Sequence, residues 1–163
     1  VEFARLTNFA LVREVLTHPA IYPLIGDDYS PPVEEFRVNE HPEILYLAAW
    51  ARVQGFVSVA EGGGMIGMFT LLPQNRVCWE VHVVMLPWAS KQEKWEAARC
   101  LPAWLARHTP CRRLTAAVPS FHWPALIYGT HGIGMKYVGR QEKAFMKGGQ
   151  LRDLIILGLS IGG

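Results

Sequence analysis

Glu80 and His82 are the residues of this chain best placed to do chemistry. They stand two apart in the apolar run VCWEVHVVMLP at 77–87, so on a strand they point to one face. A charge inside a run this apolar needs a partner or a task. A carboxylate and an imidazole side by side can take up and release protons, the work of a general base. The plainer alternative is a polar pair that lines a wet groove without chemistry. The run leads directly into WASKQEKWEAA at 88–98, where a helical pattern begins and where Ser90, Lys91 and Lys94 stand. A strand that ends in a loop and opens a helix is a common seat for anions, because the first N–H groups of the helix have no partner inside it. This loop holds no glycine, the residue that lets backbone come close to a phosphate.

These residues must be held by a fold, and the bulk numbers bound it. The chain of 163 residues is long enough for one core, which predicts a single domain over 1–163. Half the residues are hydrophobic and 18% are charged, a globular composition. A net charge of +2 gives no ground for a nucleic-acid or anionic-membrane partner. No apolar run reaches the length of a membrane span, and VEFARLTNFALV lacks the layout of a signal peptide. The expectation is a cytoplasmic protein. Cys78, Cys100 and Cys111 form no CxxC pair, and the six histidines show no HExxH or HxxxH spacing. No metal site is expected.

Along the chain, 1–6 alternate enough for a short strand. Thr7 or Asn8 can cap a helix over FALVREVLTH, which His18-Pro19 should end. Residues 20–32 are broken by Pro23, Gly26, Pro31 and Pro32. The apolar positions in 33–51 suggest a helix, with a strand over 44–49 as the competing reading. A hairpin is predicted from 56–60 through Gly62-Gly63-Gly64 to 65–72, followed by a strand over 77–86. A helix over 91–107 carries Trp95, Ala98, Leu101 and Leu105 on one stripe, with Pro102 as a kink. A strand at 113–118, a short helix at 123–130 and a hairpin of 137–145 with 151–159 complete the order. The β–α–β unit at 77–118 requires a parallel crossover.

That order, with three segments, resembles the GNAT acetyltransferase superfamily over nearly the whole chain. FVSVAEGGGMIGMFTLL looks like its second and third strands. VCWEVHVVMLP and the helix after it look like its fourth strand and cofactor-binding crossover. HWPALIYGTHGIGMKYVGR looks like its late helix and exit into the next strand. The resemblance implies a mixed α/β (α+β) domain with a mostly antiparallel sheet of six to seven strands and helices on both faces. Its parallel fourth and fifth strands would splay at their C-terminal ends.

What it implies for function is transfer of an acetyl group from acetyl-CoA to an amine, carried by a small molecule or a protein. Pantetheine would pair with the backbone at Val84, Met85 and Leu86. The diphosphate would sit on the loop at Ser90, with Lys91 and Lys94 as point charges. Aligned on Pro87, Glu93 and Trp95 occupy the family's glycine positions; slid by one residue, Lys94 and Glu96 do. In the second register Glu80 or His82 falls where the family often keeps its general base, and in the first Trp79 and Val81 take those places. Tyr128 falls near the family's general-acid tyrosine, though Ala125-x-x-Tyr128 is one residue short of the usual spacing and GTHGIGM is long. His122 and His131, which flank this helix, read as cap or surface residues. A glycine-free loop also resembles those of small GNAT-like proteins of tailed bacteriophages. The rival expectation is therefore a catalytically inactive fold serving in binding, assembly or a virion, with a homodimer or assembly partner. Trp88 or Trp95 would then fill the cofactor groove.

Overall fold

The computed structural model describes residues 1–51 and 64–162. Their strands form one seven-stranded sheet. In chain order these are β1 (Glu2–Arg5), β2 (Leu45–Trp50), β3 (Met65–Pro73), β4 (Cys78–Met85), β5 (Arg113–Pro119), β6 (Lys136–Lys147) and β7 (Gln150–Ser160). The spatial order is β1-β2-β3-β4-β5-β7-β6. Strands β4 and β5 pair parallel, whereas β1–β2, β2–β3, β5–β7 and β6–β7 are antiparallel. The mixed, mostly antiparallel sheet expected from the sequence is the one observed. The chain divides into two compact units.

The first unit holds Val1–Gly26, Pro31–Leu72 and His82–Ala97. Helix α1 (Phe9–Leu16) starts where Asn8 caps it, its Oδ1 accepting from the N–H groups of Ala10 at 3.0 Å and Leu11 at 3.3 Å. Its stripe buries Val12 and Val15 in a core with Tyr46, Ala48, Met65, Met68, Val84 and Leu86. A single turn, α2 (Tyr22–Ile25), follows. The helix expected within 33–51 is not there. A three-residue 3-10 turn (Val33–Glu35) and then β2 occupy the segment, so the competing strand reading is correct. The cause is burial: Leu45, Tyr46, Leu47, Ala48 and Ala49 are all buried between two neighbouring strands. A strand covered on both faces loses its two-residue alternation and reads like a buried helix. The predicted strand at 56–60 lies outside the described residues.

Gly67 on β3 is required by its neighbour. A Cβ built there would lie 2.3 Å from the Val84 carbonyl oxygen and 2.7 Å from Met85 Cε. Strand β4 thus runs closer to β3 at this point than any side chain allows.

The second unit holds Asp27–Ser30, Pro73–Val81 and Ala98–Gly163. Strand β5 alternates cleanly, with Leu114, Ala116 and Val118 buried. Helix α3 (Lys91–His108) contributes Ala98, Leu101 and Leu105 to this unit, all fully buried, and contains Pro102 within its length. The predicted closing hairpin is β6–β7. Its tight turn is Gly148-Gly149, both at positive φ (61° and 73°), the conformation a two-residue hairpin needs. Helix α4 (Trp123–Ile127) stops short of the predicted end, and a π turn (Tyr128–Ile133) replaces the rest.

Asp28 clasps that hairpin turn. Its carboxylate accepts from the N–H groups of Gly148 at 2.9 Å and Gly149 at 2.8 Å, while its own N–H donates to the Met146 carbonyl at 3.0 Å. The Gly149 and Gly148 hydrogen bonds, with the charge of Lys147, hold the carboxyl below its ordinary value of 3.8.

Two outcomes follow from this packing. Gly67→Ala should cost about 1–3 kcal/mol through overpacking, lowering the melting temperature by about 2–4 °C per kcal/mol in a chain of this size; an unchanged melt would refute the close approach. The depressed carboxyl means the Asp28 clasp is fully present above the unfolded value, about 3.9, and is lost as pH falls through the lower folded value. The Gly148 and Gly149 amide protons should therefore shift together with a midpoint below that of free aspartate. Asp28→Asn should abolish the transition, and a midpoint above free aspartate would contradict the clasp.

Candidate active site

Strand β4 positions four of the residues singled out in the sequence. Its bond to β3 fixes its phase. The Leu86 N–H donates to the Ile66 carbonyl at 2.9 Å, and the Gln74 N–H donates to the Cys78 carbonyl at 2.9 Å. Even-numbered residues of β4 therefore turn their peptide groups toward β3, and odd-numbered ones turn theirs away. Of the backbone expected to hold pantetheine, only Met85 offers its N–H and C=O on the side away from β3. Val83 does the same and was missed, because side-chain periodicity says nothing about which edge a peptide group faces. The Val84 and Leu86 side chains are buried, at 5% and 0% exposure, so neither can line a ligand with its side chain.

The side chains obey the same alternation. Trp79 and Val81 are buried, and the Trp79 indole N–H donates to the Arg76 carbonyl at 3.0 Å. Glu80 is half-buried and His82 exposed. The two polar residues share the accessible face of this stretch of β4. Glu80 stands opposite Thr115 in the parallel register, which runs Cys78↔Arg113, Trp79↔Leu114 and Glu80↔Thr115.

The turn from β4 into α3 brings Ser90, Lys91 and Lys94 together at the start of that helix. Ser90 and Glu93 form a reciprocal pair. The Glu93 N–H donates to Ser90 Oγ at 3.1 Å, and the Ser90 N–H donates to Glu93 Oε1 at 2.8 Å. This is a capping box: two N–H groups that the helix cannot use are satisfied by the chain itself. The Ser90-x-x-Glu93 spacing was the signal for it, and its consequence for an anion is direct. A carboxylate stands where the helix dipole would draw a diphosphate. Trp88, just before the turn, is 38% exposed; its indole N–H donates to the Met65 carbonyl at 2.8 Å, and its ring meets His18 edge-on at 5.6 Å. Trp95 is half-buried in the first turns of α3.

Tyr128 opens the π turn. The turn holds more residues than a plain helical turn and takes up the long GTHGIGM interval, while the short Ala125-x-x-Tyr128 spacing lies in α4 before it. The turn closes with the Met135 N–H donating to the Gly129 carbonyl at 2.9 Å and Gly134 at φ 90°. A Cβ at Gly129 would lie 2.8 Å from Leu157 Cδ1, so the leucine would have to shift to admit one. Tyr128 is half-buried, and burial pushes its phenol well above the ordinary range. It remains protonated across neutral pH and so has a proton to give. His122 stands at the N-cap of α4 but makes no side-chain cap bond, and His131 Nδ1 lies 3.2 Å from Thr130 Oγ1. The Cys111 thiol is buried, which raises its pKa, and Cys100 is exposed. Among the described residues no three His, Cys, Asp or Glu side chains group as metal ligands, and no helix is long and apolar enough to cross a membrane.

No protein-family model matches the chain, and no curated protein sequence does. Solved structures do. The Arabidopsis thaliana protein NAA60, in complex with acetyl-CoA, is similar over 99% of both chains at 16% identity and a TM-score of 0.68. A spermidine N-acetyltransferase from Vibrio cholerae, in complex with CoA and spermine, is similar over 98% of this chain and 95% of its own at 11% identity and a TM-score of 0.71. An acetyltransferase of the GNAT family from Streptococcus pneumoniae matches 73% of this chain and 67% of its own, at 18% identity and a TM-score of 0.55. The chain has the GNAT fold.

The capping box makes its own prediction. Ser90→Ala should destabilise the protein by about 1 kcal/mol, as loss of an N-cap typically does. Urea unfolding checks it, and a wild-type midpoint would mean that the box does not hold α3.

Proposed function

We propose that the chain is an N-acetyltransferase that moves the acetyl group of acetyl-CoA to an amine acceptor. The observation that carries the reading is the side-chain phase of β4, which sets the half-buried Glu80 and the exposed His82 on one face of the strand. The GNAT fold shared with structures solved with acetyl-CoA or CoA supports it.

The residues fit the cofactor in part. Met85 suits an extended amide-bearing arm, whose N–H and C=O groups it can pair as a neighbouring strand would. Lys91 and Lys94 supply point charges for the diphosphate, while Glu93 opposes it. Bound there, acetyl-CoA supplies the activated acyl group. Glu80, or His82, directly or through water, takes a proton from the acceptor ammonium, so that the neutral amine can attack the thioester carbon. As the C–S bond breaks, Tyr128 gives its proton to the departing sulfur. Burial keeps the Tyr128 phenol protonated and ready for this step while making it a weaker acid, so the proton moves as the C–S bond breaks and not before.

A second reading is favoured by one specific observation, the Glu93 carboxylate seated on the Ser90 N–H. In that reading the fold has lost cofactor chemistry and serves as a binding or assembly component, including one of a phage virion.

Calorimetry with acetyl-CoA separates the two. The transferase reading expects binding, and stabilisation by about 2.7 kcal/mol at roughly 100 times Kd. Tyr128→Phe should then lower kcat by about 10²-fold with acetyl-CoA affinity retained. Glu80→Gln and His82→Gln, compared for kcat, identify the base. Absence of binding at millimolar acetyl-CoA removes the transferase reading. If Glu93→Gly with Trp95→Gly then restores binding, the capping turn is what excludes the cofactor.

A further inference from the structure

Arg152 on β7 is held in a way the proposed transfer does not use. Among the described residues its Nε is the one buried side-chain nitrogen or oxygen with no hydrogen-bond partner. Its guanidinium lies over the Phe121 ring, Cζ 5.2 Å from the centroid. Phe121 in turn meets Phe145 at 6.2 Å with a tilt of 47°, and Phe145 stands opposite Arg152 in the β6–β7 register. The platform is preformed. The Ser120 N–H donates to the Asp153 carbonyl at 2.9 Å, tying the loop that carries Phe121 to β7. The neighbouring carboxylate is already committed: Asp153 Oδ2 accepts from Arg140 Nη1 at 2.9 Å, and Oδ1 from the Lys143 N–H at 3.0 Å. Successive residues of a strand point to opposite faces, so Asp153 cannot turn to serve Arg152.

A buried guanidinium N–H without an acceptor is costly, and such a group in a native fold calls for a ligand, a water or a strain role. The Phe121 ring lies against this guanidinium at 5.2 Å and offers it no hydrogen-bond acceptor. The guanidinium's edge is the side-on fork that Nε–H and Nη–H present to a carboxylate or phosphate. Phe121 is 38% exposed and Trp123, two residues on, is 67% exposed. An apolar group attached to the anion would cover them.

We propose that Arg152 and Phe121 form a binding site for the oxyanion of a small molecule, a carboxylate or a phosphate, that carries an aromatic or other apolar group next to the charge. The inference does not depend on acetyl transfer.

The test is a nuclear magnetic resonance titration of the Arg152 Nε–Hε signal in the wild-type chain with acetate, benzoate, inorganic phosphate and phenyl phosphate, and chloride as control. A saturable shift is expected, with the aromatic probes binding more tightly than acetate or phosphate. Tighter benzoate names a carboxylate ligand, and tighter phenyl phosphate names a phosphate. Arg152→Lys keeps the charge but loses the fork and should bind about tenfold or more weakly. Phe121→Ala should erase the preference for aromatic probes. A signal that stays still with all four anions, or drifts linearly as it does with chloride, would show that no anion reaches the Nε–H and would overturn the site. The wild-type titration decides this even if a variant fails to fold.

Discussion

The phase of β4 against β3 is the constraint on which the candidate site depends. One hydrogen bond at each end, Leu86 to Ile66 and Gln74 to Cys78, sets it. Gly67 lets the strands approach closely enough to keep it, because only a residue without Cβ fits against the Val84 carbonyl. Every assignment on the strand follows. With this phase Trp79 and Val81 enter the core, Glu80 and His82 reach the accessible face, and the Met85 peptide groups turn away from β3. A slip of one residue would bury a carboxylate and an imidazole and expose an indole, a change of several kcal/mol for the charged groups alone, of the order expected for burying unpaired ions. The alternation of polarity in Trp79-Glu80-Val81-His82 is therefore what pins the register, whatever the two polar residues do afterwards.

The first turn of α3 is governed by a competition for the same N–H groups. A helix start offers partial positive charge to whatever anion reaches it. A glycine-rich loop leaves that charge to a ligand, whereas Ser90 and Glu93 use part of it within the chain. The capping box stabilises the helix and weakens the site by one and the same contact. Lys91 and Lys94 do not undo this geometrically, since they add charge on flexible stems and not oriented N–H donors. A transferase built on this turn would have to displace Glu93 from Ser90 or hold its diphosphate mainly by the lysines.

Much of the fold was legible because its local signals agree with one another. Asn8, Pro19 and Gly148-Gly149 each sit where an element begins or ends, and the alternation in 113–118 is that of a strand covered on one face, whereas the Ser90-x-x-Glu93 capping box reads in the sequence only as a diphosphate loop. The segment 45–50 was misread for a physical reason. LYLAAW is buried on both sides, and a fully covered strand shows no period by which to tell it from a covered helix. The side-chain face of Glu80 and His82 was legible from their spacing. The edge faced by the Met85 peptide groups was not, because it is set by which strand lies beside β4 and not by anything in VCWEVHVVMLP. Arg152 gave no signal either: its significance lies in a missing hydrogen-bond partner, which only three-dimensional packing reveals.

Tyr128 shows how an apparent misfit in sequence can be the structural device itself. The interval before it is one residue too short for the family's usual helix, and the interval after it is too long. The π turn over Tyr128–Ile133 takes up the longer interval, with Gly129 set against Leu157 and Gly134 at φ 90°, while the shorter interval lies in α4 before it. The widened turn fixes where the phenol emerges and how deeply it is buried, and burial in turn fixes its protonation. Position and acidity of this side chain are thus both consequences of two glycines that touch no ligand. A substitution at Gly129 would move the tyrosine through the backbone, while leaving the hydroxyl chemically intact.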